Sequence, residues 1–161
     1  MKCIITIRLQ KSPFVNSPYR YAISGEDMKI LIILVLVIIV FITVVQSSKA
    51  SLLKAIMQVE SSGGTDTRPG ANGELGPYQI TEAYWHDACE YGGISDAGYR
   101  TDAYDEEWCE IIIEWYWKRY CPLAYRLNIK EVMARVHNGG PHGHQRSSTI
   151  PYWNRVRRHL K

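Results

Sequence analysis

A charge surplus is missing from most of this chain. From Ser47 onward the sequence carries 14 Lys plus Arg against 14 Asp plus Glu, so the formal +3 of all 161 residues comes from the first 46, which hold five basic and two acidic side chains. A neutral domain argues against a nucleic-acid partner, which selects a strong basic excess. The one local cluster, Arg155, Arg157, Arg158 and Lys161, suits a solvated helix end or attraction to an anionic envelope. No internal repeat is visible, which removes the solenoids and propellers. Cysteine is scarce as well. Only Cys89, Cys109 and Cys121 fall past residue 47, and an odd number leaves one thiol unpaired in any exported domain. Cys109 and Cys121 lie on one predicted helix about 18 Å apart, beyond the reach of a disulfide. Cys89 is therefore the shared partner, and Cys89–Cys109 is the favoured pair.

Long apolar runs are also absent, with one exception. Residues 30–45, "ILIILVLVIIVFITVV", are interrupted only by Thr43. As a helix they would span roughly 24 Å, short of a usual membrane span but longer than most signal cores. Met28 and Lys29 precede the run and "QSSKA" follows it, the flanks of a secretory signal with a small-residue exit. The chain thus divides into residues 1–27, an upstream tail or extension; 28–50, a signal peptide or a signal-anchor; and 51–161, the working domain. Either leader exports that domain, and the membrane enters only through the apolar segment if it stays uncleaved.

The domain reads as mostly helical. Leu52, Leu53, Ile56, Met57 and Val59 recur at helical spacing behind Ser51 as cap, and "SSGG" ends that helix just after Glu60. A polar glycine-rich stretch leads to "GPYQI" (76–80), which is read as a strand. Further helices are predicted from Thr81 to about Glu90, from Asp105 to Tyr120, from an Asn128–Glu131 capping box to about Val136, and from Pro151 onward. Tyr84, Trp85, Trp108, Trp115, Trp117, Tyr152 and Trp153 are expected chiefly in the core. Glu60 stands out by position. A carboxylate at the negative end of a helix dipole, close to aromatic side chains, has its pKa pushed up toward the range of a general acid.

Four blocks, "VESSGG" (59–64), "GPYQITEAYWHDAC" (76–89), "ARVHNGGPHG" (134–143) and "STIPYWNRV" (148–156), resemble in order and spacing the invertebrate-type lysozymes, the destabilase family. The resemblance implies a lysozyme-like α+β fold with a small β region and a cleft for bacterial peptidoglycan. It implies Glu60 as general acid, with Tyr78 and Gln79 on the cleft floor and His137, Asn138 and Gly139 in a loop approaching the acid. A second carboxylate is expected in the loop before the strand. Residues 68–75, "RPGANGEL", contain no Asp, so Asp66 is the first candidate and Glu74 the other. No cofactor or metal is expected. The activity implied is hydrolysis of the β-1,4 bond between N-acetylmuramic acid and N-acetylglucosamine. The alternatives are a single-acid enzyme of transglycosylase type and a non-catalytic peptidoglycan-binding relative.

Overall fold

The computed structural model describes residues 25–96 and 98–160. It separates into an N-terminal unit ending at Val40 and the unit Phe41–Lys161. Helix α1 (Gly25–Ser61) contributes to both, and it is long and apolar enough to cross a membrane. Its residues 25–44 are exposed on every side. The predicted break at Ser51 does not occur. Nothing in residues 46–51 breaks a helix, and Ser48 takes a hydrogen bond from Asn128 Nδ2 (2.7 Å) while remaining helical.

Within Phe41–Lys161 the elements follow their caps. Thr81 accepts a hydrogen bond from the Tyr84 amide to start α2 (Glu82–Gly92), and Gly93 stops it with φ +70°, its N–H returning to the last carbonyls. Asp105 does the same for the Trp108 amide at the start of α4 (Glu106–Tyr120), after the short α3 (Tyr99–Asp102). Helix α4 begins acidic and ends basic, in line with its dipole. Pro122 opens α5 (Pro122–Leu127), α6 spans Lys130–Gly139, and α7 spans Ile150–Val156 with Pro151 in its first turn.

The Asn128–Glu131 capping box is not formed. Asn128 instead closes α5 in the left-handed region (φ 54°), and Ile129 precedes α6 without a side-chain cap. Asparagine tolerates that conformation better than most residues, so one residue type serves either end of a helix.

Helix α4 is the centre of the core, packing against α2, α5 and α6. Its Cys109, Ile112, Ile113 and Trp117 are fully buried among Leu52 and Ile56 of α1, Ala88 of α2, Met133 and Val136 of α6 and Val156 of α7. The Trp117 indole donates to the Met133 carbonyl at 2.8 Å, so its burial leaves no orphaned donor. Trp108 departs from expectation: it lies on the outer face of α4, 40% exposed.

The β region is smaller than a strand. Among the described residues it is a single antiparallel bridge, Leu75 to Ile80, closed by two backbone hydrogen bonds of 3.0 Å. The residues between, Gly76 to Gln79, form a tight turn in which the Gln79 amide donates to the Gly76 carbonyl (3.1 Å). Gly76 and Gln79 both have positive φ, +73° and +48°. A turn, not a strand, is why glycine and proline stand in "GPYQI".

The expected Cys89–Cys109 bridge is not formed either; all three domain cysteines are free and buried. The Cys109 thiol is directed to the Ala103 carbonyl, 3.1 Å away, while Cys89 is packed in the core from α2. Burial pushes the Cys109 thiol up to about 12, which leaves it unreactive.

Candidate active site

Ser61 fixes the end of α1 against the 75–80 turn. Its hydroxyl donates to the Pro77 carbonyl at 2.6 Å and lies 3.1 Å from the Met57 carbonyl, and it accepts from the Gly64 amide at 2.9 Å. Past Ser61 the chain passes through three consecutive positive φ values at Ser62, Gly63 and Gly64. This sharp exit leaves Glu60 facing open space instead of another turn of helix. Two adjoining hollows share Glu60 and Gln79. The larger, about 580 Å³, is lined also by Gly70, Asn72, Glu74, Tyr84, His137 and Asn138. The smaller, about 270 Å³, is lined also by Asp66, Arg68 and Pro69.

Tyrosine and histidine side chains surround the Glu60 carboxyl. The Tyr152 hydroxyl of α7 donates to Oε1 at 2.7 Å, and His137 Nε2 of α6 lies 3.7 Å from the same oxygen. His137 Nδ1 is 3.3 Å from the Tyr84 hydroxyl, and the Tyr84 ring stacks on Tyr116 of α4 with centroids 3.6 Å apart. Burial drives the Glu60 pKa up to about 7. The Tyr152 hydrogen bond and the Arg155 charge pull it down, and the Glu74 charge pushes it up. The direction matches the sequence expectation, but desolvation is the leading cause. Burial also drives His137 down to about 4, so this imidazole is neutral at pH 7 and offers Glu60 no compensating charge. With Oε1 taken by Tyr152, Oε2 is the oxygen left to carry the proton.

The other residues singled out from the sequence divide. Gln79 borders both hollows, its Nε2 donating to the carbonyls of Arg68 and Gly76. His137 and Asn138 line the larger hollow from the last turn of α6, which runs three residues past its predicted end. Asp66 is in the smaller hollow and is held by Arg68 through two hydrogen bonds of 2.8 and 2.7 Å. The Arg68 guanidinium lowers its pKa to about 2.

Two placements differ from expectation. Tyr78 is not on the cleft floor: it is fully buried, and its hydroxyl donates to Glu110 of α4 at 2.8 Å. Adjacent side chains leave the backbone on different sides, so the two cannot share the cleft floor: Tyr78 is the inward residue and Gln79 the cleft-side one. Gly139 belongs to α6 instead of a loop, and a Cβ there would press on Thr149 Cγ2 at 2.6 Å.

Sequence reasoning does not find Tyr152 or Ser61. Tyr152 packs in the core as expected, at 2% exposure, but its hydroxyl also reaches Glu60 across 92 residues of sequence. The only signal for it is its place in the "STIPYWNRV" block. Its effect is measurable. Tyr152→Phe removes a hydrogen bond to the ionised form of Glu60, so the Glu60 pKa is expected to rise above 7 by about one to two pH units, from the ~1.5–3 kcal/mol of such a bond. A carbon-13 carboxyl titration reads it directly, and an unchanged or lower pKa contradicts the role given to Tyr152.

A neutral-range carboxyl at a helix end, an adjoining glutamine turn and a His-Asn helix end converge here from three separate blocks of sequence, and the chain as a whole is similar to known proteins. The sequence model of the destabilase family matches residues 49–159. The chain is 41% identical to the lysozyme of Meretrix lusoria over 88 residues, 52% of this chain and 65% of that protein. It therefore spans slightly less than two thirds of that relative's length. It is 29% identical to the lysozyme of Ostrea edulis over 134 residues, covering 81% of this chain and 94% of that one. The fold is similar to a chain of the crystal structure of Aeromonas hydrophila PliI in complex with Meretrix lusoria lysozyme, with TM-score 0.51 and 30% identity over 67% of this chain and 87% of that chain. With the family match covering residues 49–159, well over half of the sequence, this chain belongs to the destabilase family, that of the invertebrate-type lysozymes.

Proposed function

We propose that the protein is a lysozyme, a glycoside hydrolase that cleaves the β-1,4 bond between N-acetylmuramic acid and N-acetylglucosamine of bacterial peptidoglycan. The observation that carries this reading is the carboxyl of Glu60, held at about 7 by burial at the edge of an open hollow. A carboxyl in that range is protonated often enough at neutral pH to donate to a leaving glycosidic oxygen, and it is acidic enough to do so readily. Glu60 is the general acid. Gln79, His137 and Asn138 border the same hollow and bind or orient the sugar chain, while Tyr152 fixes the acid's rotamer through Oε1. The lysozyme names of the Meretrix lusoria and Ostrea edulis relatives support the same chemistry.

The apolar part of α1 fits export of the domain, either as a signal peptide removed near residues 46–50 or as an anchor that keeps the domain outside a membrane. The test of function is a digest of purified bacterial cell wall with mass spectrometry of the released ends. Hydrolysis is expected, giving reducing N-acetylmuramic acid. Anhydro-muramic ends would replace the reading with transglycosylase chemistry, and binding without new ends would replace it with a non-catalytic wall-binding protein.

A further inference from the structure

We infer that Glu74, not Asp66, is the ionised carboxylate that works opposite Glu60. This rests on the lysozyme reading and adds to it the identity of the second acidic group.

Glu74 lines the larger hollow together with Glu60, whereas Asp66 lines only the smaller one. The loop before the turn is folded around the Glu74 side chain. The Asn72 amide donates to its Oε2 and Asn72 Nδ2 to its Oε1, both at 2.9 Å. The Gly70 amide donates to the Glu74 carbonyl at 2.8 Å, and the Gly73 amide to the Gly70 carbonyl at 3.1 Å, with Gly73 at φ +85°. A Cβ on Gly70 would overlap Glu74 Oε2 and come within 2.8 Å of Gln79 Oε1. The backbone at Gly70 is therefore laid flat against the carboxylate, and a larger residue there would displace it.

The chemistry of the partners decides between the two acids. Asp66 is paired bidentately with the Arg68 guanidinium, so its negative charge is already balanced by a positive one. The donors to Glu74 are neutral amides, which hold the carboxylate ionised without cancelling its charge. That charge is felt at Glu60, where it raises the pKa. In the reaction Glu60 gives its proton to the glycosidic oxygen as the bond from that oxygen to the anomeric carbon breaks, the electron pair leaving with the oxygen. The positive charge developing at the anomeric carbon is countered by Glu74. Water then adds its hydroxyl to that carbon and returns its proton to Glu60.

The experiment compares Glu60→Gln, Glu74→Gln and Asp66→Asn in the full chain on cell wall at several pH values. Glu74→Gln is expected to lower kcat by roughly 100-fold with KM changed far less, the size of an electrostatic contribution to the transition state. Its loss should exceed that of Asp66→Asn at least ~tenfold, on the same argument. A second readout is independent of rate. Glu60 is faced by Tyr152 and Arg155 of α7, His137 of α6 and Glu74. Removing the one repulsive charge among these should move the alkaline limb of the pH profile to lower pH. Partial rescue of Glu74→Ala by formate supports a charge at that place. An active wild type in which Glu74→Gln stays within about threefold, or Asp66→Asn is the more impaired, overturns this inference alone. A wild type that releases no new ends overturns the lysozyme reading, and this inference with it.

Discussion

Glu60→Gln is expected to eliminate wall hydrolysis, with a loss of at least ~1,000-fold, while leaving the protein as stable as before or more so. Glutamine keeps the shape and can still accept the Tyr152 hydroxyl on its Oε1, but it has no proton to give. Loss of a general acid alone is worth about 10²–10⁴ in rate. The stability half follows from linkage. The Glu60 pKa rises from 4.5 to about 7 on folding, so between those values the folded state holds more of the proton than the unfolded state. Stability contributed at this site is fully present below about pH 4.5 and is lost as pH rises through 7. With the side chain only 19% exposed, the penalty above pH 7 is on the order of 3 kcal/mol, from ~1.4 kcal/mol per pH unit. Glutamine removes it. Melting curves should therefore place Glu60→Gln at or above wild type at pH 8 and close to it at pH 4.5. A folded variant that keeps more than a few per cent of the activity removes Glu60 from the acid role. A variant less stable at pH 8 contradicts the burial argument.

Helix ends whose signals are local were legible in the sequence. The helices expected to begin at Thr81 and Asp105 do begin there, with those two side chains as the caps, because an oxygen side chain before an apolar run acts within four residues of itself. Glu60 was legible for the same reason, since "VESSGG" marks a helix end wherever it falls. The errors arise where one local pattern has two solutions. "GPYQI" reads as a strand but is a turn, and of its neighbouring residues Tyr78 lies in the core while Gln79 stays at the cleft. Asn128 with Glu131 spells a cap, yet Asn128 takes the left-handed end of the preceding helix. Cysteine count and helix spacing left Cys89–Cys109 as the favoured pair, but the Cys109 thiol is directed to the Ala103 carbonyl. The contacts that shape the site are of another kind. Tyr152 to Glu60, His137 to Glu60 and Ser61 to Pro77 each join separate segments of chain, and nothing in the local pattern of either partner encodes the other.

The last expected result concerns the turn that carries Gln79. Gly76→Ala should destabilise the domain by at least ~3 kcal/mol through two separable costs, strain and overpacking. The first is backbone strain: Gly76 has φ +73°, where an L-residue with a Cβ is disfavoured by about 1–2 kcal/mol. The second is overlap. A Cβ at Gly76 would occupy the space of the Ala103 carbonyl oxygen, and would sit 2.7 Å from the Ala103 carbonyl carbon and 3.3 Å from Tyr104 Cα. These are backbone atoms at the end of α3. They cannot swing aside as a side-chain tip would, and the Ala103 oxygen also accepts from the Cys109 thiol in the core. Relief requires the 75–80 turn to back away, which pulls Pro77 from Ser61 and Gln79 from the hollow beside Glu60. At ~4 °C per kcal/mol for a domain of about this size, the melting midpoint should fall by roughly 12 °C or more, with activity falling too. Gly73→Ala is the control. Gly73 has φ +85° but nothing within 4 Å of the place a Cβ would take, so it bears the strain without the overlap and should lose only about 1–2 kcal/mol. If the two variants melt together, close contact between the turn and α3 is not what holds Gln79 at the cleft.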